Sequence, residues 1–144
     1  MENNLDNINN FDILLKNPIH TLNCHKYFIY YISILNDGRL ISGSRDNSII
    51  VCNIITYQPD LIINELEDSI RYITQLSSGI LATCSYDITF IIFNINGNNT
   101  SIIQILNDHT DCVNKLIEIE NKYLISFFDD NSIIFYLNDN LKYK

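Results

Sequence analysis

The segment Asp46-Asn47-Ser48-Ile49-Ile50 recurs unchanged as Asp130-Asn131-Ser132-Ile133-Ile134, and Asp87-Ile88-Thr89-Phe90-Ile91 lies nearly midway between the two copies. The Asp-to-Asp steps are 41 and 43 residues. Four residues upstream stand Ser42, Thr83 and Ser126, and six upstream stand Leu40, Leu81 and Leu124. His25 and His109 lie 21 residues before the first and third Asp, each followed four residues later by a β-branched residue, Ile29 and Val113. Several positions recurring in step at a period of about 40–45 residues mark a repeat architecture. In such folds each repeat hides its apolar surface against the next.

Within each repeat the pattern reads strand, turn, strand, tight turn, strand, longer turn, strand. The first repeat predicts strands near 29–35, 39–44, 48–54 and 61–66, with Asn36-Asp37-Gly38 and Arg45-Asp46-Asn47 as turn chemistry. The second predicts 70–76, 80–85, 89–95 and 101–106, and the third 113–119, 123–128 and 132–137. Phe11–Leu15 and Ile19–Leu22, on either side of Asn17-Pro18, read as the last two strands of an earlier unit. The third strands, Ile49-Ile50-Val51-Cys52, Phe90-Ile91-Ile92-Phe93 and Ile133-Ile134-Phe135-Tyr136, are apolar without alternation. A strand with one wet face alternates, whereas one covered on both faces reads as a continuous run. Sheets stacked face to face fit this better than a two-layer sandwich. Ile63, Leu66, Ile70 and Ile73 fall at helical spacing, a competing signal that breaks register with the repeat.

Composition narrows the function classes. Roughly a third of the chain is Ile and Asn, both with A+T-rich codons, so the excess reads as genome bias. A net charge of −8, with nine scattered Lys and Arg, argues against nucleic acid or an anionic membrane as a partner. No apolar stretch is long enough for a transmembrane helix, and the acidic, Asn-rich residues 1–10 resemble a solvated tail and not a signal peptide. An intracellular, cytoplasmic location is the resulting expectation, with Cys24, Cys52, Cys84 and Cys112 as reduced thiols.

The repeat resembles that of the WD-repeat β-propeller family, which carries Gly-His, an apolar strand, Leu-x-Ser-Gly-Ser-x-Asp, and Trp-Asp six residues after the first Asp. Leu40-Ile41-Ser42-Gly43-Ser44-Arg45-Asp46 matches the middle section at every specified position, and His109-Thr110-Asp111-Cys112-Val113 resembles the segment from the His onward. Cys24 and Asp108 replace the Gly, Leu66 the second His, and Cys52, Phe93 and Tyr136 the Trp. The resemblance covers roughly residues 19–138 and implies degenerate repeats at about 25–66, 67–106 and 107–138 within a domain of residues 11–144. It implies an all-β fold of about three blades, each a four-stranded antiparallel sheet, in an incomplete or open propeller. It also implies a buried hydrogen-bond network bracing each blade: His25, Ser42 and Asp46 in the first, Thr83 and Asp87 in the second, His109, Ser126 and Asp130 in the third.

A Ser, a His and an Asp also invite reading as a hydrolase triad. Recurrence of the set in two repeats favours a scaffold, because a catalytic centre is unique and its Ser accessible. Cys24-His25 and His109-x-x-Cys112 lack the four convergent ligands of a zinc site, so no metal and no cofactor are expected. In WD-repeat proteins the residues just before each Asp, and those opening each first strand, cluster on one face and commonly contact partners. Here these are Arg45, Tyr86 and Asp129, then Lys26 and Phe28, Glu67 and Ser69, Thr110 and Cys112. The expected role is a non-catalytic protein-interaction or scaffold module, possible as a fragment of a larger propeller, with an unidentified protein partner. The alternative is a subunit that self-associates to close a propeller as a homo-oligomer.

Overall fold

The tight turns set the blades. In all three the residue after the Asp takes a left-handed backbone, with φ of 64° at Asn47, 66° at Ile88 and 63° at Asn131. Asn tolerates this conformation, whereas β-branched Ile88 is strained in it. The computed structural model describes residues 18–64, 66–129 and 131–137. The expected tail over 1–10, the strand Phe11–Leu15, and Asp130 lie outside the described residues.

Among the described residues eleven strands and no helix form three separate antiparallel meanders. The first is β1 (Ile29–Ile34), β2 (Leu40–Ser44), β3 (Ile49–Cys52) and β4 (Pro59–Ile63). The second is β5 (Ile70–Gln75), β6 (Leu81–Ser85), β7 (Phe90–Asn96) and β8 (Asn99–Leu106). The third has three strands, β9 (Val113–Ile119), β10 (Tyr123–Phe128) and β11 (Ile133–Leu137), in the order β11-β10-β9. The sheets stack as blades of an unclosed propeller. Ile19–Leu22, expected as a strand, joins no ladder. This stretch lies against the face of blade 1 instead of along a sheet edge, with the His20 ring stacked on Tyr57 at 4.1 Å.

Two apolar seams hold the stack. Between blades 1 and 2 lie Ile41, Ile49, Val51 and Ile63 from one sheet and Ile70, Ile73, Leu81, Ile91 and Phe93 from the other. Between blades 2 and 3, Leu76, Ala82, Cys84, Phe90 and Ile92 meet Val113, Leu116 and Leu124. Alternation along the strands delivers one set of residues to each face, and each buried Ile or Leu contributes about 1.5–3 kcal/mol. Ile63, Leu66, Ile70 and Ile73, which share helical spacing in sequence, all join the first seam from strands and a connecting loop. A polar latch recurs beside each seam. The Asn36 amide donates to Gln75 Oε1 at 2.7 Å, and the Ser77 amide donates to Glu118 Oε2 at 2.7 Å, with the Ser77 hydroxyl donating to Oε1.

β3 and the first part of β7 are buried on both faces, as their uninterrupted apolar runs predict. β11 alternates between exposed and half-buried, because the far face of blade 3 is uncovered. Ile133, Phe135 and Leu137 stand exposed there, as do Ile32, Ile34 and Ile62 on the opposite end of the stack.

Two substitutions test these features in urea unfolding. Ile88→Asn, which relieves a strained and partly exposed residue, is expected to stabilise the protein by roughly 1 kcal/mol. Gly43→Ala would place a Cβ 2.6 Å from Ile70 Cγ2 in the first seam. It is expected to destabilise by about 1–3 kcal/mol.

Candidate functional site

Blade 1 holds the fullest polar cluster. The tight turn brings Asp46 back towards the segment preceding β1, where His25 Nδ1–H donates to the carboxylate at 3.1 Å and the Lys26 amide donates to Oδ2 at 2.8 Å. On the far side of the ring, the Ser42 hydroxyl from β2 donates to His25 Nε2, 2.8 Å away. The Ser48 hydroxyl donates to Asp46 as well. Burial opposes ionisation of Asp46, but the Ser48 hydroxyl, the Lys26 amide and the adjacent His25 outweigh it and hold the pKa at about 2.

The other blades carry variants of this cluster. His109 is buried, with Nε2 2.7 Å from Ser126 Oγ and Nδ1 3.2 Å from Ser132 Oγ. Tyr136 packs edge-on to Phe90, and its buried hydroxyl makes no hydrogen bond. Burial, with Asp108 nearby, pushes its pKa up to about 12. In blade 2 the His position is Leu66, which joins the apolar seam, and Thr83 turns its hydroxyl to the Tyr72 carbonyl at 3.1 Å. Asp87 accepts from the Thr89 amide at 2.8 Å, so it ties the tight turn alone. Ser42 and Ser126 are both buried, which denies a substrate access to either hydroxyl. Among the described residues no group of three or more His, Cys, Asp and Glu is arranged to hold a metal ion.

A second constellation is exposed. At one end of each blade, the residue before the Asp bonds back to the segment that opens the first strand. The Arg45 amide donates to the Phe28 carbonyl at 2.8 Å, Tyr86 to Ser69 at 3.0 Å and Asp129 to Cys112 at 3.5 Å. Lys26, Phe28, Arg45, Glu67, Tyr86, Thr110 and Asp129 are exposed, Cys112 is half-buried and Ser69 is buried. Three further residues, which the motif reasoning passed over, join them: Tyr30, Arg71 and Asn114. Arg71 Cζ lies 4.3 Å from the Tyr86 ring centre and 6.0 Å from that of Tyr30. Its guanidinium donates to Asn114 Oδ1 at 3.3 Å, and Asn114 donates to Asp129. The result is a rim running across all three blades. Its signal in the sequence was the same frame, since 30, 71 and 114 are separated by the same steps of 41 and 43 residues.

Residues 16–53 match the family model for the WD domain, G-beta repeat. The WD40 beta propeller domain of Doa1 superposes with a TM-score of 0.72 at 22% identity, over 83% of this chain and 40% of that one. This is a WD-repeat β-propeller fold. Two computationally designed proteins are similar as well, each at 17% identity. For Ika8 the TM-score is 0.68, with 82% of this chain and 36% of that one covered. For Ika4 it is 0.67, with 81% and 69% covered. No curated protein sequence matches. The chain thus spans about 40% of the length of the Doa1 propeller domain. WD-repeat propellers generally serve as non-catalytic scaffolds for protein interactions. No helix among the described residues is long and apolar enough to cross a membrane.

The Asp46 cluster gives a pH test. A carboxylate whose folded pKa lies below the ordinary 3.8 adds stability that is complete above about pH 4. That stability is lost as pH falls towards 2. Asp46→Asn should therefore cost roughly 1–2 kcal/mol at pH 7 and little at pH 2, read from denaturant midpoints across that range.

Proposed function

We propose that this WD-repeat fold is a non-catalytic protein-interaction module that grips its partner through the rim formed by Tyr30, Arg71 and Tyr86. One observation carries the reading. An arginine rests against two tyrosines at the junction of blades 1 and 2, beside Phe28, which is 68% exposed. Large aromatic side chains and Arg supply most binding hot spots, because they bury much area with few rotatable bonds. The rim is also polar in a directional sense. Lys26, Arg45 and Arg71 lie on blades 1 and 2 with Glu67 and Asp68 among them, whereas Asp111 and Asp129 lie on blade 3. A rim that sets aromatic rings among charges of both signs suits a polar partner segment bearing an apolar anchor.

A partner isolated on the immobilised protein provides the test. Tyr86→Ala and Phe28→Ala are expected to weaken its binding by about 30-fold or more, with unchanged melting temperature. Asn98→Ala, in the β7–β8 turn, should leave binding intact. Equal retention by the rim variants would overturn the assignment.

The exposed ends favour a second reading, which concerns assembly. Ile117, Ile119, Ile133, Phe135 and Leu137 on blade 3 occupy the face by which blades 1 and 2 each meet their successor. Ile32, Ile34 and Ile62 occupy the face by which blades 2 and 3 meet their predecessor. Two copies stacked head to tail would join these faces as the chain joins its own blades. Light scattering is then expected to report twice the 16.7 kDa of one chain. A monodisperse monomer would reject this assembly while leaving the rim reading untouched.

A further inference from the structure

Before β1 the chain runs as a strap across the outer face of blade 1, and one thiol pair meets beneath it. Cys24 Sγ on the strap lies 3.7 Å from Cys52 Sγ on β3. Both are free thiols. Their neighbours fix the approach. His25, next to Cys24, is bonded to Ser42 and Asp46, and His20 stacks on Tyr57, so the strap is held on both sides of Cys24. Cys52 is buried within the blade. The other two cysteines have no such partner. Cys84 Sγ lies 3.7 Å from the Tyr72 carbonyl, and Cys112 Sγ 3.6 Å from the Tyr86 carbonyl.

We propose that Cys24 and Cys52 form an oxidation site, closing a disulfide that locks the strap onto blade 1 when a small-molecule disulfide such as oxidised glutathione is present. Cys24 is half-exposed and lines a cleft of about 380 Å³ between the strap and blade 1, alongside Leu22, Ile50, Tyr57 and Ile62. It therefore meets the oxidant first. The Cys24 sulfur attacks one sulfur of oxidised glutathione, forming a mixed disulfide and releasing one reduced glutathione, which takes up the Cys24 proton. The Cys52 sulfur then attacks Cys24 Sγ. The Cys24–Cys52 bond forms, the bond to glutathione breaks, and the second glutathione leaves with the Cys52 proton. Two thiols are oxidised and one glutathione disulfide is reduced, so the exchange balances.

The order of events has a kinetic signature. Burial and the neighbouring Cys24 push the Cys52 thiol up to about 11. Since the thiolate is the nucleophile, closure should accelerate as pH rises from about 7 to 9. The bond joins residues 28 apart, a loop long enough for its closure to restrict the unfolded chain substantially.

The experiment is peptide mapping of the purified wild-type protein after incubation with oxidised glutathione, free thiols being blocked before trypsin digestion. A linked pair of peptides covering residues 17–26 and 46–71 is expected, and it should vanish on treatment with dithiothreitol. The oxidised protein should melt about 5 °C or more above the reduced form, a rise absent in Cys24→Ser and Cys52→Ser. Glutathione retained on Cys24 without the linked pair would overturn the proposal, as would linkage through Cys84 or Cys112. Because the map is made on the wild-type chain, it decides the question whether or not either serine variant folds.

Discussion

Face-to-face burial of neighbouring sheets is the constraint on which the rest of this molecule depends. A four-stranded sheet of about five-residue strands cannot hide its own side chains, and here both faces of each sheet are largely apolar. Blade 2 satisfies the demand on both sides, with Ile73, Leu81 and Ile91 in one seam and Ala82, Cys84 and Phe90 in the other. Gly43 shows how closely the sheets approach, since its missing Cβ is the room that Ile70 occupies. The tight turns, the latches and the rim all take their positions from this stacking, because each lies at the end of a strand whose middle is fixed by a seam.

The degenerate repeats change in compensated ways. The family's Gly before the His and its Trp at the end of the third strand differ greatly in volume. In blade 1 both are Cys, one larger and one smaller than the family residue, and their sulfur atoms touch. In blade 3 the same two positions are Asp108 and Tyr136, again a gain opposite a loss, and they lie near enough for one carboxylate to raise the other's phenol. Blade 2 abandons polarity at the His position and fills it with Leu66, which extends the first seam. A buried polar network that cannot be completed is better replaced by apolar contact.

Much of this was legible in the sequence. The period located all eleven strands, because turns such as Asn36-Asp37-Gly38 and Arg45-Asp46-Asn47 punctuate it and strands between them must alternate or be buried twice. The helical spacing of Ile63, Leu66, Ile70 and Ile73 misleads, since residues from a strand end, a loop and the next strand converge in space without helical geometry. Ile19–Leu22 reads as a strand because it is partly apolar, and sequence cannot tell packing on a face from pairing along an edge. Arg71, Tyr30 and Asn114 escaped motif reasoning because their residue types differ in every repeat. Only a shared position, made visible by the stacking, unites them.

The latch between blades also carries a direction. Gln75 and Glu118 each present an oxygen to the turn amide of the preceding blade, which fixes how far one sheet slides along the next. One period earlier, the equivalent position on blade 1 is Ile34, whose side chain accepts nothing. Any sheet that seats against this first face meets no such acceptor there, and must take its register from shape and its other contacts. The molecule is therefore keyed at its internal joints and smooth at its leading end.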